Sequence, residues 1–248
     1  MKLTIIIPAY NEERCIEKTV VRIIQELAAA KINHEIIVVN DGSRDSTSEI
    51  LRKLSRDYSV VRYIDQAQHG GFGLAVRKGL ESFTGDAVAI VMGDGSDSPS
   101  DIVEYYRKLE EGYECVFGSR FIRGSKLHDY PIHKLILNRF ANYFIKVLFR
   151  LNHNDITNAF KCYKREVMTG LQPLFSNHFN LTVEMPLKAI IRGYSYATIP
   201  ISWTNRTHGI SKLKIKEMGS RYLFIVLYLF FEKTLSCGDY LRKDKNKI

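Results

Sequence analysis

The chain has 248 residues, 45% of them hydrophobic, and a formal net charge of +9. That is enough apolar material for one large core, which excludes a disordered chain. The charge favours an anionic partner: a phosphorylated substrate, an acidic membrane surface or nucleic acid.

In chain order, Met1–Thr4 runs straight into the apolar strand Leu3–Pro8, too short and wrongly flanked for a signal peptide. Ile16, Val20, Ile23, Ile24 and Leu27 then recur at helical spacing. A strand over Glu35–Asn40 follows, and Ser46 with Glu49 forms a capping-box pattern before Ile50, Leu51 and Leu54. Val60–Ile64, Ala87–Met92 and Cys115–Gly118 read as further strands, and Ser98-Pro99 opens a helix. Runs this continuously apolar suit strands covered on both faces. Their alternation with helices predicts an α/β fold, a doubly wound and mostly parallel sheet.

Past Pro131 the pattern changes. Ile132, Leu135, Ile136, Phe140, Tyr143, Phe144, Val147, Leu148 and Leu151 form one long helical stripe, with Lys134, Asn138 and Asn142 on another face. The stripe reads first as core packing. A helix over Leu181–Arg192 follows, then a strand over Tyr196–Trp203 in which Pro200 suggests a sheet edge. A basic loop, Asn205–Lys216, leads to a last helix whose uncharged run, Tyr222–Phe231, is too short to span a bilayer, since that takes about 20 apolar residues. It suits a buried helix or one lying in an interface. The tail Arg242–Ile248 is charged. Cys15, Cys115, Cys162 and Cys237 form no CxxC pair, which points to reduced thiols in a cytosolic compartment.

Ligands of an open parallel sheet bind beyond the carboxyl ends of its strands. The segments there are Pro8–Glu13, Asn40–Ser43, Gly93–Pro99 and Gly118–Arg120, and parallel strands would bring them to one rim. Asp94 and Asp97, in a glycine-bearing turn, are the candidate ligands of Mg²⁺ or Mn²⁺, which takes one or two carboxylates and completes its shell with substrate phosphate oxygens. The same two residues could instead build a turn and cap the next helix, Asp41 could form an Asx turn, and Tyr10 could be ordinary packing. No GxxxxGK[ST], HExxH or GxSxG occurs, and the seven histidines show no ligand spacing and read as surface or core residues. Gly71–Val76 imitates a dinucleotide fingerprint but does not directly follow a strand and puts Val76 where the third small residue belongs. No basic stripe interleaved with aromatics is evident, so no nucleic-acid partner is expected.

In these segments the chain resembles the family-2 glycosyltransferases of GT-A fold, in particular the dolichol- and polyprenyl-phosphate hexosyltransferases. The resemblance runs from about Leu3 to about Tyr222 and rests on Ile7–Glu12, Val39–Ser43, Gly71–Ala75, Phe117–Arg120, Asn138–Asn142, Asp155–Lys161, Ile199–Ile201 and Arg206–Leu213. It implies a single catalytic domain over 1–235, with a nucleotide-binding half (1–125), an acceptor-binding helical half (126–235) and a charged tail (236–248). It implies that Pro8, Ala9, Tyr10, Glu12 and Asp41 hold the nucleoside, and that Asp94 and Asp97 bind metal and diphosphate. Arg120, Lys134, Asn138 and the loop carrying Arg206 and Lys212 would handle the phosphates of donor and acceptor. Two departures stand out. Gly93 and Gly95 occupy the family's usual Asp-X-Asp positions, leaving Asp94 between them and Asp97 where Gln is usual. Lys134 stands where relatives carry arginine, keeping the charge but losing the bidentate fork.

The expected reaction is inverting transfer of a hexose from a nucleotide-sugar to a lipid phosphate. A phosphate monoester is already largely ionised at neutral pH and needs no base. A saccharide or protein hydroxyl acceptor would need one, with Asp97 or Glu184 as candidates. A nucleotidyltransferase and a non-catalytic nucleotide-sugar-binding protein are the rivals from other classes. The basic balance would hold the protein on the cytoplasmic face of a membrane, with Tyr143–Leu151 or Tyr222–Phe231 as a path for the lipid tail. A membrane-anchored partner subunit could assist.

Overall fold

The computed structural model describes residues 1–205 and 215–242, with 215–218 described by their backbone only. The elements, in chain order, are β1 (Leu3–Ala9), α1 (Ile16–Ala29), β2 (His34–Asn40), α2 (Thr47–Asp57), β3 (Val61–Asp65), α3 (Phe72–Leu80), β4 (Ala87–Ile90), α4 (Pro99–Glu110) and β5 (Cys115–Ser119). There follow β6 (Lys126–His128), α5 (Ile132–Phe149), β7 (Lys161–Lys164), α6 (Arg165–Gly170), α7 (Leu181–Ile191), β8 (Tyr196–Pro200), β9 (Ser202–Thr204) and α8 (Ile215–Leu235).

Seven strands form one sheet in the order β3-β2-β1-β4-β7-β5-β8. Every pairing in it is parallel except those of β7, which runs antiparallel to both β4 and β5. Strand alternation sends successive apolar side chains to opposite faces. Ile5, Ile7, Ile36, Val38, Ala87 and Ala89 pack with α1, α2 and α4. Ile6, Val88, Ile90 and Phe117 pack with Val76 of α3, Val167 and Met168 of α6, and α7. Both faces are therefore covered, which is why these strands are apolar throughout. A third layer is made by α5, α7 and α8, through Ile145, Phe149, Val183, Leu187, Ile225 and Leu229.

The doubly wound, mostly parallel sheet expected from the sequence is present, with local differences. β4 ends at Ile90 rather than Met92, because the Met92 N–H is given to the Asp97 carboxylate at 3.0 Å and leaves the ladder. The expected strand Tyr196–Trp203 is split. β8 forms the sheet edge beside β5, as Pro200 suggested, whereas β9 pairs with β6 in a separate two-stranded ribbon. The capping box does not form, since Ser46 makes no side-chain cap. Asp45 instead accepts the Thr47 N–H at 3.1 Å. Most of the tail expected over Arg242–Ile248 lies outside the described residues; Arg242 itself pairs with Glu114.

The largest correction concerns the stripe on α5. Its members Ile132, Ile136, Phe140, Tyr143 and Val147 are 59–74% exposed, so it is not core packing. The opposite face, with Asn142 buried and Lys134 and Asn138 half-buried, turns inward. Polar ties hold it there: Asn138 and Asn142 donate to Thr157 Oγ1 at 3.0 and 2.9 Å, and Thr157 N–H donates back to Asn142 Oδ1 at 3.1 Å. Among the described residues no helix is long and apolar enough to cross a membrane.

One close approach sets the start of α3. A Cβ on Gly73 would fall 2.5 Å from Ser176 O and 2.6 Å from Asn177 C, both backbone atoms that cannot swing aside. Gly73→Ala should therefore cost about 1–3 kcal/mol by overpacking, read as a lower midpoint in denaturant-induced unfolding.

Candidate active site

Parallel pairing decides what meets at the rim. The register sets Ala9 beside Asn40 and Ile6 beside Ile90, so the chain leaves β1, β2 and β4 on the same side. Antiparallel β7 bridges to β5, whose end delivers Arg120. Together these segments enclose a cavity of about 410 Å³, a size that suits a small-molecule ligand. Pro8, Ala9, Tyr10, Glu12, Asp41, Asp94, Asp97, Arg120, Lys134 and Asn138 all line it. Arg206 and Lys212 lie outside the described residues; Asn205, at the start of their loop, is on the cavity wall.

At one end, Asp41 is clamped by the chain that leads into α3. Its carboxylate accepts the N–H groups of Gly70 and Gly71, both at 2.8 Å. His69 lies beside it, Nδ1 at 2.7 Å from Asp41 Oδ2, with its ring stacked on Tyr10. Gly71 takes φ 103°, a conformation that favours glycine. Of the histidines read as surface or core residues, His69 is half-exposed and is brought to the cavity wall by the turn before α3. His153 is buried.

In the middle, the turn after β4 carries two buried carboxylates. Asp94 Oδ1 accepts Ser96 N–H at 3.1 Å, Gly95 supplies φ 73°, and Asp97 Oδ2 accepts Met92 N–H. Burial drives the Asp97 pKa up to about 7; the Met92 N–H opposes the rise, Asp94 adds to it and the Arg120 charge opposes it. Among the described residues no group of three or more metal-ligating side chains converges. Two carboxylates on one turn do match a hard divalent cation that completes its shell with phosphate oxygens.

At the other end, Arg120 is held side-on by Asp155, with Nε and one terminal nitrogen at 2.8 and 2.7 Å, while its backbone N–H donates to the same carboxylate at 2.9 Å. Burial disfavours both charges, but each partner outweighs it: the Arg120 pKa is raised and the Asp155 pKa lowered. The remaining edge of the guanidinium faces Tyr130, whose hydroxyl is 3.4 Å away and whose ring packs on Trp203 at 4.7 Å. Lys134 stands nearby on the inward face of α5. Asp155, Tyr130, Trp203 and Arg221 were not assigned roles from the sequence; a carboxylate 35 residues beyond its arginine leaves no local signal. Glu184, a candidate base, is fully buried and pairs with Lys188 at 2.7 Å while accepting the N–H groups of Phe175 and Ser176. It does not line the cavity, so it is a structural acid.

Residues 4–171 match the family model described as glycosyl transferase family 2. The chain belongs to that family. The polyprenol monophosphomannose synthase of Mycolicibacterium smegmatis is 29% identical to it over 215 residues, spanning 84% of this chain and 80% of that one. The dolichol-phosphate mannosyltransferase of Pyrococcus furiosus is 28% identical over 220 residues, covering 88% of this chain but only 61% of the longer archaeal protein. Glucosyl-3-phosphoglycerate synthase of Mycobacterium tuberculosis, crystallised with Mn²⁺, UDP and phosphoglyceric acid, superposes with a TM-score of 0.70 over 92% of this chain and 78% of that one, at 20% identity. That last likeness is one of fold.

In this glycosyltransferase the raised Asp97 has a stability consequence. Its folded pKa of about 7 lies above the ordinary 3.8, so the folded state holds the extra proton between those values. Stability therefore falls as pH rises across that window and stays reduced above it. Asp97→Asn is neutral throughout, and its amide oxygen can still accept the Met92 N–H. In denaturant titrations without divalent metal, the variant should exceed wild type at about pH 8, with the gap closing towards pH 4.

Proposed function

We propose that this enzyme moves a hexose from a GDP- or UDP-linked donor to a polyprenyl or dolichyl phosphate, with inversion at the anomeric carbon. The observation that carries this reading is the orientation of α5: Lys134 and Asn138 line the cavity while Ile132, Ile136, Phe140 and Tyr143 face outward. A helix that is cationic towards the cavity and apolar towards the outside suits an acceptor with a phosphate head and a hydrocarbon tail. The two mannosyltransferase relatives support the same acceptor class.

In this reading Pro8, Ala9, Tyr10, Glu12 and Asp41 hold the nucleoside, within the half formed by 1–125. Asp94 and Asp97 hold Mg²⁺ or Mn²⁺, which when bound neutralises charge on the leaving diphosphate. Arg120, kept in place by Asp155, presents to phosphate the edge that faces Tyr130, and Lys134 adds a point charge. Asn138 orients the acceptor phosphate from the 126–235 half. Arg206 and Lys212 would add positive charge for the donor phosphates. The acceptor oxygen is already anionic, so no residue needs to remove a proton from it. One observation favours a second reading: the Asp97 pKa of about 7 suits a general base for a hydroxyl acceptor.

The test is release of nucleoside diphosphate from a panel of UDP- and GDP-sugars, with Mn²⁺ or Mg²⁺ and with or without a short polyprenyl phosphate. Release should require both metal and lipid phosphate. Release driven by a saccharide, with a pH–rate limb near the Asp97 pKa, would favour the hydroxyl acceptor. Pyrophosphate release from a nucleoside triphosphate would make the protein a nucleotidyltransferase, and binding without turnover would make it non-catalytic.

The outward apolar face of α5 and the net charge of +9 also support work at the cytoplasmic surface of an acidic membrane, alone or with a membrane-anchored partner subunit. The protein should float with anionic liposomes. Ile136→Glu with Phe140→Glu should abolish flotation while leaving turnover of a short-chain acceptor in detergent, and undiminished flotation of that variant would place the contact elsewhere.

A further inference from the structure

His69 is in the cavity, but neither the carboxylate turn nor the Arg120 corner uses it. It lies between β3 and α3 with its side chain 49% exposed. Its imidazole lies nearly flat on the Tyr10 ring, with centroids 4.0 Å apart and an interplanar angle of 19°. Nδ1 is 2.7 Å from Asp41 Oδ2, so that ring nitrogen carries the donated proton. The Asp41 side chain is 3% exposed and also accepts the Gly70 and Gly71 N–H groups.

The result is a planar nitrogen heterocycle stacked on a tyrosine face and joined edge-on by N–H to a buried carboxylate. Those are the two contacts by which a nucleobase is held: stacking through the ring face and hydrogen bonding through the ring edge. A carboxylate offers about four acceptor positions, and three are filled here. We propose that His69 is an internal stand-in for the donor's nucleobase, occupying the berth on Tyr10 and Asp41 in the unloaded enzyme and leaving it when the nucleotide binds. This rests on the proposed assignment of Tyr10 and Asp41 to the nucleoside.

The physical logic is that of a competent state populated only in part. Asp41 is buried, and without a base its carboxylate would lose a charged hydrogen bond. The imidazole supplies that bond until the base arrives. Because half of the His69 side chain is exposed, rotating it into solvent disturbs no packed core. The enzyme gives up donor affinity in proportion to how seldom the berth is open. His69 is thus a residue that sets donor affinity, and one whose removal should strengthen binding.

The experiment is calorimetric titration of the full chain with UDP and with GDP, using wild type, His69→Ala and His69→Phe. His69→Ala should bind the preferred nucleotide more tightly, by about tenfold, with the gain in the association rate. His69→Phe keeps a ring for Tyr10 but has no N–H for Asp41, and should gain less. Matching thermal melts for all three proteins would show that the fold is intact. Weaker or unchanged binding by His69→Ala, with wild type binding well, would overturn the proposal and leave the donor site standing. Failure of both nucleotides to bind any of the three would overturn the donor-site assignment and the proposal together.

Discussion

The buried pair of Arg120 and Asp155 joins the end of β5 to the segment between α5 and β7, and much of the cavity hangs on it. Asp155 is fully buried and receives three N–H groups from Arg120 alone. Removing either partner would strand the other charge away from water, a loss of about 3–5 kcal/mol. Two residues further on, Thr157 is bound by Asn138 and Asn142, so the same anchored segment fixes the roll of α5. A helix placed by apolar burial alone would turn its widest hydrophobic face inward. Here the polar ties win, and the apolar face is left outside. The arginine that faces the cavity and the outward apolar surface are therefore consequences of one network.

The carboxylate turn shows the opposite balance, a local cost accepted at a site. Asp94 and Asp97 are both buried within a short turn. Burial raises Asp97 and the neighbouring Asp94 charge adds to it. Backbone N–H groups from Met92 and Ser96 offset part of this and aim the side chains. Such an arrangement is a poor choice for stability and a good one for a ligand that brings positive charge.

The central sheet was legible because its physics is local. Leu3–Pro8, Glu35–Asn40 and Ala87–Met92 are apolar without interruption, and covered strands read that way. The rim residues followed from topology: once β1, β2 and β4 are parallel, Tyr10, Asp41 and the Asp94–Asp97 turn must share a side. What stayed hidden depends on distant partners. Lys161–Lys164 is short and carries a lysine at each end, so β7 gives no strand pattern. Its place between β4 and β5 depends on Lys161 being buried, where it donates to the carbonyls of Ile156, Asn158 and Thr182. The face of α5 that turns inward was invisible for the same reason, since periodicity shows an apolar stripe but not what the polar stripe will find. Ser46 lost its cap to Asp45, whose carboxylate also accepts the Glu13 N–H at 3.2 Å, from a segment distant in sequence.

Reversing β7 has a consequence for the Arg120 end of the cavity. A further parallel β/α repeat would have continued the parallel order and put a helix N-terminus at the rim. The antiparallel strand instead makes the chain approach the rim from α5 and descend through Asp155, Thr157 and Asn158 before entering the sheet at Lys161. This approach segment forms the floor of the cavity beside Arg120, and it is tied by side chains rather than by strand ladders. Burial pushes the Lys161 pKa down to about 7, with Asp155 opposing and Arg120 adding to the fall. Lys161, Asp155 and Arg120 thus act on one another, and of the three it is the arginine that lines the cavity. Its charge is largely balanced from behind by Asp155, and Lys134 brings a second cation to the cavity wall. Arg120 then contributes direction more than charge: a rigid, partly neutralised donor edge whose orientation is set by the same carboxylate that cancels its field.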